Sequence, residues 1–367
     1  MSYITAIGTA TPSHRFSQSD IADFMLRTMR LNNGDARKLR TIFRSSGIEY
    51  RHSVLADYGK TKDFTFYSDT CDLEPLPGTE KRLHVFRQNA LTLSIASFND
   101  MKQSYPHVDT REITHIIVVC CTGMYAPGLD IDLVHSLNLS RSVQRTAITF
   151  MGCHASFNAL KIADAICKSN DHAKVLIVCT ELCSIHFQRT VTDDNLLANA
   201  LFADGSASIM VEGTTVGPLK LKLEEFHSDL ALEGFSDMAW TIGDLGFEMR
   251  LTAYVPDLIK KGIGALADSL LKKISVNLSD IRHFAIHPGG KKILEVIEEE
   301  LGISRTRNEA AYRILKDYGN MSSPTVIFVL KEVMRQLGDS NAGERILSFA
   351  FGPGLTLESM VLRIESA

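Results

Sequence analysis

The chain has 367 residues, of which 45% are hydrophobic and 22% charged, and a formal net charge of −4. This length predicts two domains or one domain with an internal division, and the negative charge disfavours nucleic acid as a partner. No apolar run approaches the roughly 20 residues of a membrane-spanning helix, and the first residues lack the basic and apolar regions of a secretory signal. Seven scattered cysteines without zinc-ligand spacing predict reduced thiols, a cytoplasmic location and no metal site.

Hydrophobic periodicity predicts that short buried strands alternate with helices along the whole chain. Strands are expected at 3–8, 113–121, 175–180, 208–211, 284–287, 346–351 and 360–364. Helices are expected from Ser17 onward and at 86–101, 255–273, 291–301 and 322–337, with a long polar loop at 59–81. The alternation indicates a largely parallel sheet covered by helices. A similar order of elements in both halves predicts two α/β units, 1–213 and 214–367, joined around 213–217.

One turn stands out as a place for a reactive side chain. An apolar strand runs into Gly152, Cys153 follows directly, and a helical pattern begins there. A thiol at the start of a helix lies near the positive end of the helix dipole and near unpaired N–H groups, which favour a thiolate. Cys153 is therefore a candidate nucleophile. The alternative is a small core thiol, because free cysteines are among the most buried residues.

Two later turns carry polar side chains that could meet this thiol. His287 follows a buried strand and precedes Pro-Gly-Gly, where α/β proteins commonly bind ligands. Asn320 lies between Gly319 and a predicted helix. Taken alone, His287 could be a structural histidine and Asn320 a turn or cap residue. Together with Cys153 they suit acyl transfer with carbon–carbon bond formation, although their spacing also allows a hydrolytic Cys-His-Asn enzyme.

An ordered set of motifs extends this pattern over nearly the whole chain. The motifs are AIGTATP at 6–12, Gly152-Cys153, ALFADG at 200–205, VPDLI at 255–259, HPGG at 287–290, YGNMSSP at 318–324 and FGPGLTLE at 351–358. With them the chain resembles the type III polyketide synthases, the chalcone synthase-like branch of the thiolase-fold condensing enzymes. The resemblance implies a thiolase-like α/β fold of two layered halves (αβαβα), a homodimer, and a catalytic triad of Cys153, His287 and Asn320.

The resemblance also implies a mechanism. An imidazolium at His287 and the helix dipole would hold Cys153 as a thiolate, which takes a starter from an acyl-CoA. Malonyl-CoA would then lose CO₂, and donors from His287 and Asn320 would stabilise the enolate that attacks the Cys153 thioester. Repeated extension and cyclisation would yield a pyrone, a resorcinol or a phloroglucinol. No metal or bound cofactor is expected, because CoA itself activates the acyl groups. Medium or long fatty acyl chains are the expected starters.

Further residues match the family's binding positions. Those matched to the reaction cavity are Phe202 and Met249 as gatekeepers, with Thr122, Cys183, His186, Ala198, Ser322, Gly352 and Pro353. Compared with chalcone-forming members, His186, Ala198 and Trp240 add bulk to the cavity walls. Ala126 replaces a Met that the dimer partner often contributes. Those matched to CoA binding are Lys38, Arg40, Arg44, Gly289 and Gly290.

These binding assignments have plain structural alternatives. Phe202, Met249 and Trp240 could be core residues, His186 could be a satisfied or surface histidine, and the basic run could be a solvated helix face.

Two other functions are compatible with the same motifs. A ketoacyl-ACP synthase III-like enzyme would perform one condensation with malonyl on a carrier protein. A non-catalytic thiolase-fold scaffold would only bind acyl groups.

Overall fold

The computed structural model describes residues 1–106, 108–214 and 219–366. Its strands are β1 (Tyr3–Ala10), β2 (His14–Ser17), β3 (Tyr50–Ser53), β4 (His115–Cys120), β5 (Gln144–Thr149), β6 (Lys174–Leu182), β7 (Asp204–Glu212), β8 (Leu219–Leu230), β9 (Met238–Gly243), β10 (Gly246–Leu251), β11 (His283–Ile286), β12 (Arg345–Gly352) and β13 (Thr356–Ser366). Its helices are α1 (Gln18–Thr28), α2 (Asn33–Ser45), α3 (Thr79–Ser104), α4 (Leu129–Ser136), α5 (Ala155–Ser169), α6 (Asp193–Leu201), α7 (Val255–Lys273), α8 (Lys291–Leu301), α9 (Glu309–Tyr318) and α10 (Thr325–Met334).

Nine strands form one continuous sheet in the order β11-β12-β13-β8-β1-β7-β6-β4-β5. Within it, β1-β7-β6-β4 and β8-β13-β12-β11 repeat the same pattern: two antiparallel pairs followed by a parallel pair. The two halves meet where β1 pairs with β8 over Tyr3 and Ile4. The molecule is therefore built from two similar α/β halves. The junction expected around 213–217 lies largely outside the described residues, so its boundary stays a prediction.

Two helices lie between the halves and bring their chemistry together. Helix α5 packs on β4, β5, β6 and β7 and also contacts β13, whereas α10 packs on β11 and also contacts β1 and β7. On the outer faces, α3 covers β1, β7 and β6, and α7 covers β8 and β13. Each half of the continuous sheet thus forms one layer, with α5 and α10 between the two layers and α3 and α7 outside them. The amino-terminal ends of α5 and α10 both belong to the central layer of helices.

The expectation of a largely parallel sheet is wrong. Only β4–β5, β4–β6 and β11–β12 pair in parallel, and the other five pairs of the sheet are antiparallel. In each half the last strand, β7 or β13, runs antiparallel to both of its neighbours. Because the inner strands are buried on both faces, they lack the alternation of apolar and polar residues that usually identifies an antiparallel strand.

Most predicted helices and strands are present, and several others were missed. Helices α7 and α8 have the predicted bounds, and Ser17 caps α1 in a capping box with Asp20. The loop expected at 59–81 ends at Gly78, three residues earlier, because α3 begins at Thr79. The β9–β10 hairpin, β8, α4, α6 and α9 had no prediction. Within the described residues, no helix is long and apolar enough to cross a membrane, and no group of side chains could hold a metal ion.

Candidate active site

Cys153 follows a tight turn at the end of β5. Phe150 and Gly152 have φ values of +58° and +72°, and a single 3-10 turn, Gly152–His154, carries Cys153 into α5. A Cβ on Gly152 would lie 2.3 Å from Cδ of Pro353, so the turn also contacts the loop after β12. Glycine is thus required at 152 both by its left-handed φ and by this contact. The turn places the buried side chain of Cys153 in the wall of a cavity between the two halves.

His287 comes from the second half, at the end of β11. Its backbone N–H donates to the carbonyl of Phe349 at 2.8 Å, which continues the parallel pairing with β12. The side chain is 1% exposed, and neither ring nitrogen has a hydrogen-bond partner among the described residues. A Cβ on Gly289 would lie 3.6 Å from Cδ2 of His287 and closer still to Ile293. The ring is therefore confined by its neighbours, and its nitrogens are free to act on a substrate.

Asn320 is held by hydrogen bonds of both its backbone and its side-chain amide. Its N–H donates to the carbonyl of Leu201, and its carbonyl accepts from the N–H of Ala203, both at 2.9 Å. Its Oδ1 accepts from the backbone N–H of Ser322 at 2.8 Å, and its Nδ2 donates to the carbonyl of Gly289 at 3.3 Å. These contacts orient the amide. Its nitrogen carries two hydrogens, so one remains available for a ligand.

The three predicted triad residues line one enclosed cavity of about 40 Å³. Sγ of Cys153 lies 4.0 Å from Oδ1 of Asn320, and His287 and Gly289 form the adjoining wall. The structure thus brings together side chains from three segments that are far apart in the sequence. Of the other predicted cavity residues, those that line the same cavity are Thr122, Cys183, Phe202, Met249, Ser322 and Pro353, and Trp240 lines it too.

The remaining predicted cavity residues lie beside this cavity. Ala198 and His186 line a second cavity of about 50 Å³, which shares Cys183, Phe202, Trp240 and Met249 with the first. Gly352 lies beneath the turn, where a Cβ would overlap Nδ1 of His154 at 2.1 Å.

Burial controls the charges of the catalytic pair. It raises the pKa of Cys153 to about 11, although hydrogen bonds with Ser322 and Asn320 act in the opposite direction. It also lowers the pKa of His287 to about 3. Burial thus opposes the effect expected from the helix dipole, and it favours the neutral thiol and the neutral imidazole at pH 7.

A buried carboxylate behind the cavity was missed by the sequence analysis. Glu181 accepts hydrogen bonds from the N–H groups of Cys121 and Thr122 at 2.9 and 3.0 Å. The hydroxyls of Thr122 and Ser323 also donate to it, both at 2.7 Å. Burial raises the pKa of Glu181 to about 7. The one available signal was an acidic residue at the end of the apolar run of β6.

His186 and Trp240 form a fixed wall between the two cavities. Nδ1 of His186 accepts from the N–H of Phe247 at 3.0 Å, so Nε2 carries the proton and donates to the carbonyl of Thr122 at 2.7 Å. Nε1 of Trp240 donates to the carbonyl of Cys121 at 3.1 Å. His186 also stacks on Phe247 with ring centroids 4.3 Å apart. His186 is thus a satisfied, neutral histidine that shapes the wall.

The cationic residues predicted to bind CoA lie apart from one another. At 3.6 residues per turn, Arg40 and Arg44 are on the opposite side of α2 from Ile42, and they line a groove of about 500 Å³ beside α1. Ile42 instead lines a channel of about 300 Å³ that contains Gly289 and Gly290. The structure therefore does not bring Arg40 and Arg44 together with Gly289 and Gly290, and their assignment to CoA stays a prediction. Lys38 lies on the channel side of α2, paired with Asp193.

Comparison with known proteins decides the family. Residues 1–215 match the chalcone and stilbene synthases, N-terminal domain, and residues 229–365 match the C-terminal domain of the same family. The chain belongs to the chalcone and stilbene synthase family. It is a type III polyketide synthase, an acyltransferase of the decarboxylating condensation class. This assignment favours the synthase over the ketoacyl-ACP synthase III-like enzyme and the non-catalytic scaffold.

Named relatives agree with the family. The alpha-pyrone synthesis polyketide synthase-like Pks18 of Mycobacterium tuberculosis is 30% identical over 98% of this chain and 91% of its own length. Probable polyketide synthase 1 of Dictyostelium discoideum is 30% identical over 99% of this chain, which spans 11% of that longer protein.

Solved structures give the same answer for the fold. The C-terminal type III polyketide synthase domain of Steely1, a type I/III hybrid from Dictyostelium, has a TM-score of 0.90 at 29% identity and covers 99% of both chains. PKS-I of the brown alga Ectocarpus siliculosus has a TM-score of 0.91 at 28% identity, covering 99% of this chain and 98% of its own. Type III polyketide synthases have the thiolase fold, so the predicted fold class is confirmed.

Proposed function

We propose that this synthase loads an acyl-CoA starter on Cys153, extends it with malonyl-CoA in repeated condensations, and cyclises the product to a pyrone, resorcinol or phloroglucinol. The observation that carries the proposal is the cavity in which a thiol, an imidazole and an amide face one another. The name of the mycobacterial relative, which refers to alpha-pyrone synthesis, supports the pyrone among these products.

In the loading step, His287 takes the proton of Cys153 as the sulfur attacks the starter thioester. Both ring nitrogens of His287 lack partners among the described residues, so either can accept the proton. The CoA thiolate leaves, and it takes up a proton from the imidazolium or from water. Burial then favours the acylated enzyme, because the thioester and the neutral imidazole carry no charge.

In the extension step, malonyl-CoA loses CO₂ and leaves an enolate whose oxygen needs hydrogen-bond donors. The free hydrogen of Asn320 Nδ2 and a protonated nitrogen of His287 supply them. A donor of this kind is typically worth about 3–4 kcal/mol in the transition state. The enolate carbon attacks the Cys153 thioester, the carbon–sulfur bond breaks, and the lengthened chain returns from CoA to the thiol for the next round.

The second cavity, of about 50 Å³, adjoins the triad cavity and has an apolar side. Ile21, Met25 and Phe187 line it on the far side of the shared wall. An acyl chain attached to Cys153 would reach it past Cys183 and Phe202. Medium or long fatty acyl starters require this cavity of about 50 Å³ to widen, and each methylene group buried against its apolar side would contribute about 0.8 kcal/mol.

We also propose a cytoplasmic homodimer. Strand β5 is the edge of the large sheet and is mostly exposed. The exposed side chains of Met124, Ile131 and Met151 come from the segments that flank it. An open edge strand with apolar neighbours is a ready pairing surface for a second copy. Sedimentation should give twice the chain mass of 40.6 kDa, and a monomer would contradict the dimer.

The proposed cytoplasmic location is supported by the cysteines. All seven are free, which supports a reducing compartment.

The experiment that tests the proposed function uses a panel of acyl-CoA starters with malonyl-CoA and no carrier protein. We expect mass spectra to show polyketides with two or more extensions and the highest yield from fatty acyl starters. Products with a single extension, or a requirement for a carrier protein, would contradict iterative use of CoA thioesters.

A further inference from the structure

The start of α5 holds a second histidine beside the nucleophile. His154 follows Cys153 directly, and it is 2% exposed. Neither of its ring nitrogens has a hydrogen-bond partner among the described residues. The ring lies against the end of β12, where a Cβ on Gly352 would be 2.1 Å from Nδ1. His154 is not among the residues that line the two cavities, so a bound substrate leaves its nitrogens free.

A line of polar side chains continues from His154 along one face of α5. Asn158 and Lys161 follow at the i+4 and i+7 positions, a spacing that places all three side chains on the same side of the helix. Nδ2 of Asn158 is buried and also lacks a partner among the described residues. Nζ of Lys161 donates to Glu358 of β13 at 2.5 Å and to Ser228 of β8 at 2.6 Å. The side chain of Lys161 is 27% exposed, so this polar face of α5 reaches the solvent.

The inner end of the polar face lies near the catalytic histidine. Burial, and then the charge of His154, lower the pKa of His287 to about 3. Burial, and then the charge of Lys161, lower the pKa of His154 to about 4. The three groups thus interact in series from the surface to the triad, and both imidazoles are neutral at pH 7. A neutral imidazole can accept a proton on one nitrogen and donate a proton from the other.

The proposed function requires one proton for each extension. When malonyl-CoA loses CO₂ and the enolate carbon attacks the Cys153 thioester, the negative charge of the malonyl carboxylate moves to the sulfur. The return of the chain to Cys153 moves this charge to the CoA thiolate, which takes up one proton and becomes a thiol. Loading consumes no external proton, since the Sγ proton itself balances the departing CoA thiolate. Extension therefore depends on a proton supply to the buried triad, whereas loading does not.

We infer that His154 delivers this proton to His287, and that the polar face of α5 carries it in from the surface through Asn158 and Lys161. The inference rests on the proposed function, because that function creates the demand for one proton per extension. His154 acts through His287 and does not touch the substrate. Its loss should therefore slow extension without slowing the loading of Cys153.

The test is His154→Leu, which removes both nitrogens and leaves an apolar side chain. Rapid-quench mass spectrometry measures two steps separately: acylation of Cys153 by a fatty acyl-CoA, and the first lengthening of that acyl group by malonyl-CoA. Acylation should keep the parental rate, and lengthening should be at least about ten-fold slower. Because proton delivery becomes limiting, the solvent deuterium isotope effect on lengthening should exceed that of the parent.

Two further variants of α5 serve as comparisons. Asn158→Leu, on the polar face, should also slow lengthening and spare acylation. Ser156→Ala removes another buried hydroxyl without a partner among the described residues, but position 156 lies on the opposite side of the helix from His154. It should leave both steps at the parental rate.

The remaining outcomes overturn the inference. Lengthening at the parental rate in His154→Leu would exclude the histidine from proton delivery. An equal loss in both steps, or an unchanged isotope effect, would show that His154 only supports the turn of the nucleophile.

Proton exchange at His287 tests the route without turnover. In protein labelled with ¹⁵N at histidine, the ring N–H signal of His287 is assigned by its loss in His287→Gln. This proton should exchange with D₂O at least about ten-fold more slowly in His154→Leu than in the parent, and equal exchange would overturn the inference. If the parent forms no polyketide, the proposed function fails while this exchange still decides the proton route.

Discussion

At the scale of single residues, Cys153 and His287 line one cavity and both are buried. Burial favours the protonated thiol and the neutral imidazole at pH 7. The proposed function therefore requires that the Sγ proton pass to His287 as the sulfur attacks.

The first prediction concerns this transfer. In His287→Gln the imidazole that is proposed to accept the Sγ proton is absent, so alkylation of Cys153 by iodoacetamide should be at least about ten-fold slower than in the parent at pH 7.5 and should rise with pH. The measurement is peptide mapping of both proteins in a Cys71→Ser background, which removes the exposed thiol. Equal rates at pH 7.5 would show that His287 does not activate the sulfur.

The second prediction concerns Glu181, whose folded pKa of about 7 exceeds its ordinary value of 4.5. A carboxyl with a raised folded pKa stabilises the fold below the lower value, and this contribution is lost as the pH rises through the higher one. At about 1.4 kcal/mol per pH unit, the loss between pH 4.5 and 7 is of order 3 kcal/mol. Glu181→Gln cannot ionise and lacks this slope.

Urea unfolding at several pH values between 4.5 and 7.5 measures the effect. The free energy of unfolding of Glu181→Gln relative to the parent should increase by a few kcal/mol over that range. A constant difference between the two proteins would contradict the raised pKa. Other titrating groups are common to both proteins and cancel in the difference.

At the scale of elements, two connections decide the shape of the site. The β5–α5 turn at Gly152 presents Cys153 to the triad cavity, and the β9–β10 hairpin places Trp240 beside both cavities and Phe247 beside the second. The hairpin is tied to the loop after β4 by the hydrogen bonds of Trp240 and His186. Both connections are thus held by contacts with the other half or with distant loops.

The third prediction concerns the turn. Gly152→Ala meets both a left-handed φ and an overlap with Pro353, whereas Gly302→Ala meets a similar φ of +63° with nothing within 4 Å. Gly302→Ala should cost about 1–2 kcal/mol in the free energy of unfolding. Gly152→Ala should cost more than that and reduce the acylation of Cys153. Equal losses in urea unfolding would show that the contact with Pro353 is unimportant.

The fourth prediction concerns the wall. Trp240→Ala should join the two cavities and shift starter preference to longer acyl-CoAs, measured by competition between starters of different length. Trp240→Phe keeps most of the ring but loses the hydrogen bond to Cys121, and it should retain the parental preference. If Trp240→Ala retains it as well, the indole does not limit the acyl chain.

At the scale of the whole molecule, the site exists because two similar halves face each other. Cys153 comes from one half, and His287 and Asn320 come from the other, with α5 and α10 in the central layer. The family resemblance carried by the ordered motifs predicted this meeting, whereas the strand ends and turns alone left the three residues as separate candidates. The bounds of α7 and α8 followed from their periodicity and from the Pro256 and Gly302 positions.

Other features depend on contacts that no local pattern contains. The antiparallel return of β7 and β13 is invisible in strands buried on both faces. The bonds to Glu181 and the fixed His186 join residues about 60 positions apart in the chain. Arg40 and Arg44 line a different groove from Gly289 and Gly290, so a basic run predicts a charged helix but not which of its faces lies beside the site.

The most direct test of the account is intact-protein and peptide mass spectrometry of the enzyme mixed first with a fatty acyl-CoA and then with malonyl-CoA. We predict an acyl adduct on the peptide of Cys153 that lengthens by successive C2H2O units, and no adduct in Cys153→Ala. An adduct confined to another cysteine, or polyketide formation that persists in Cys153→Ala, would contradict the account.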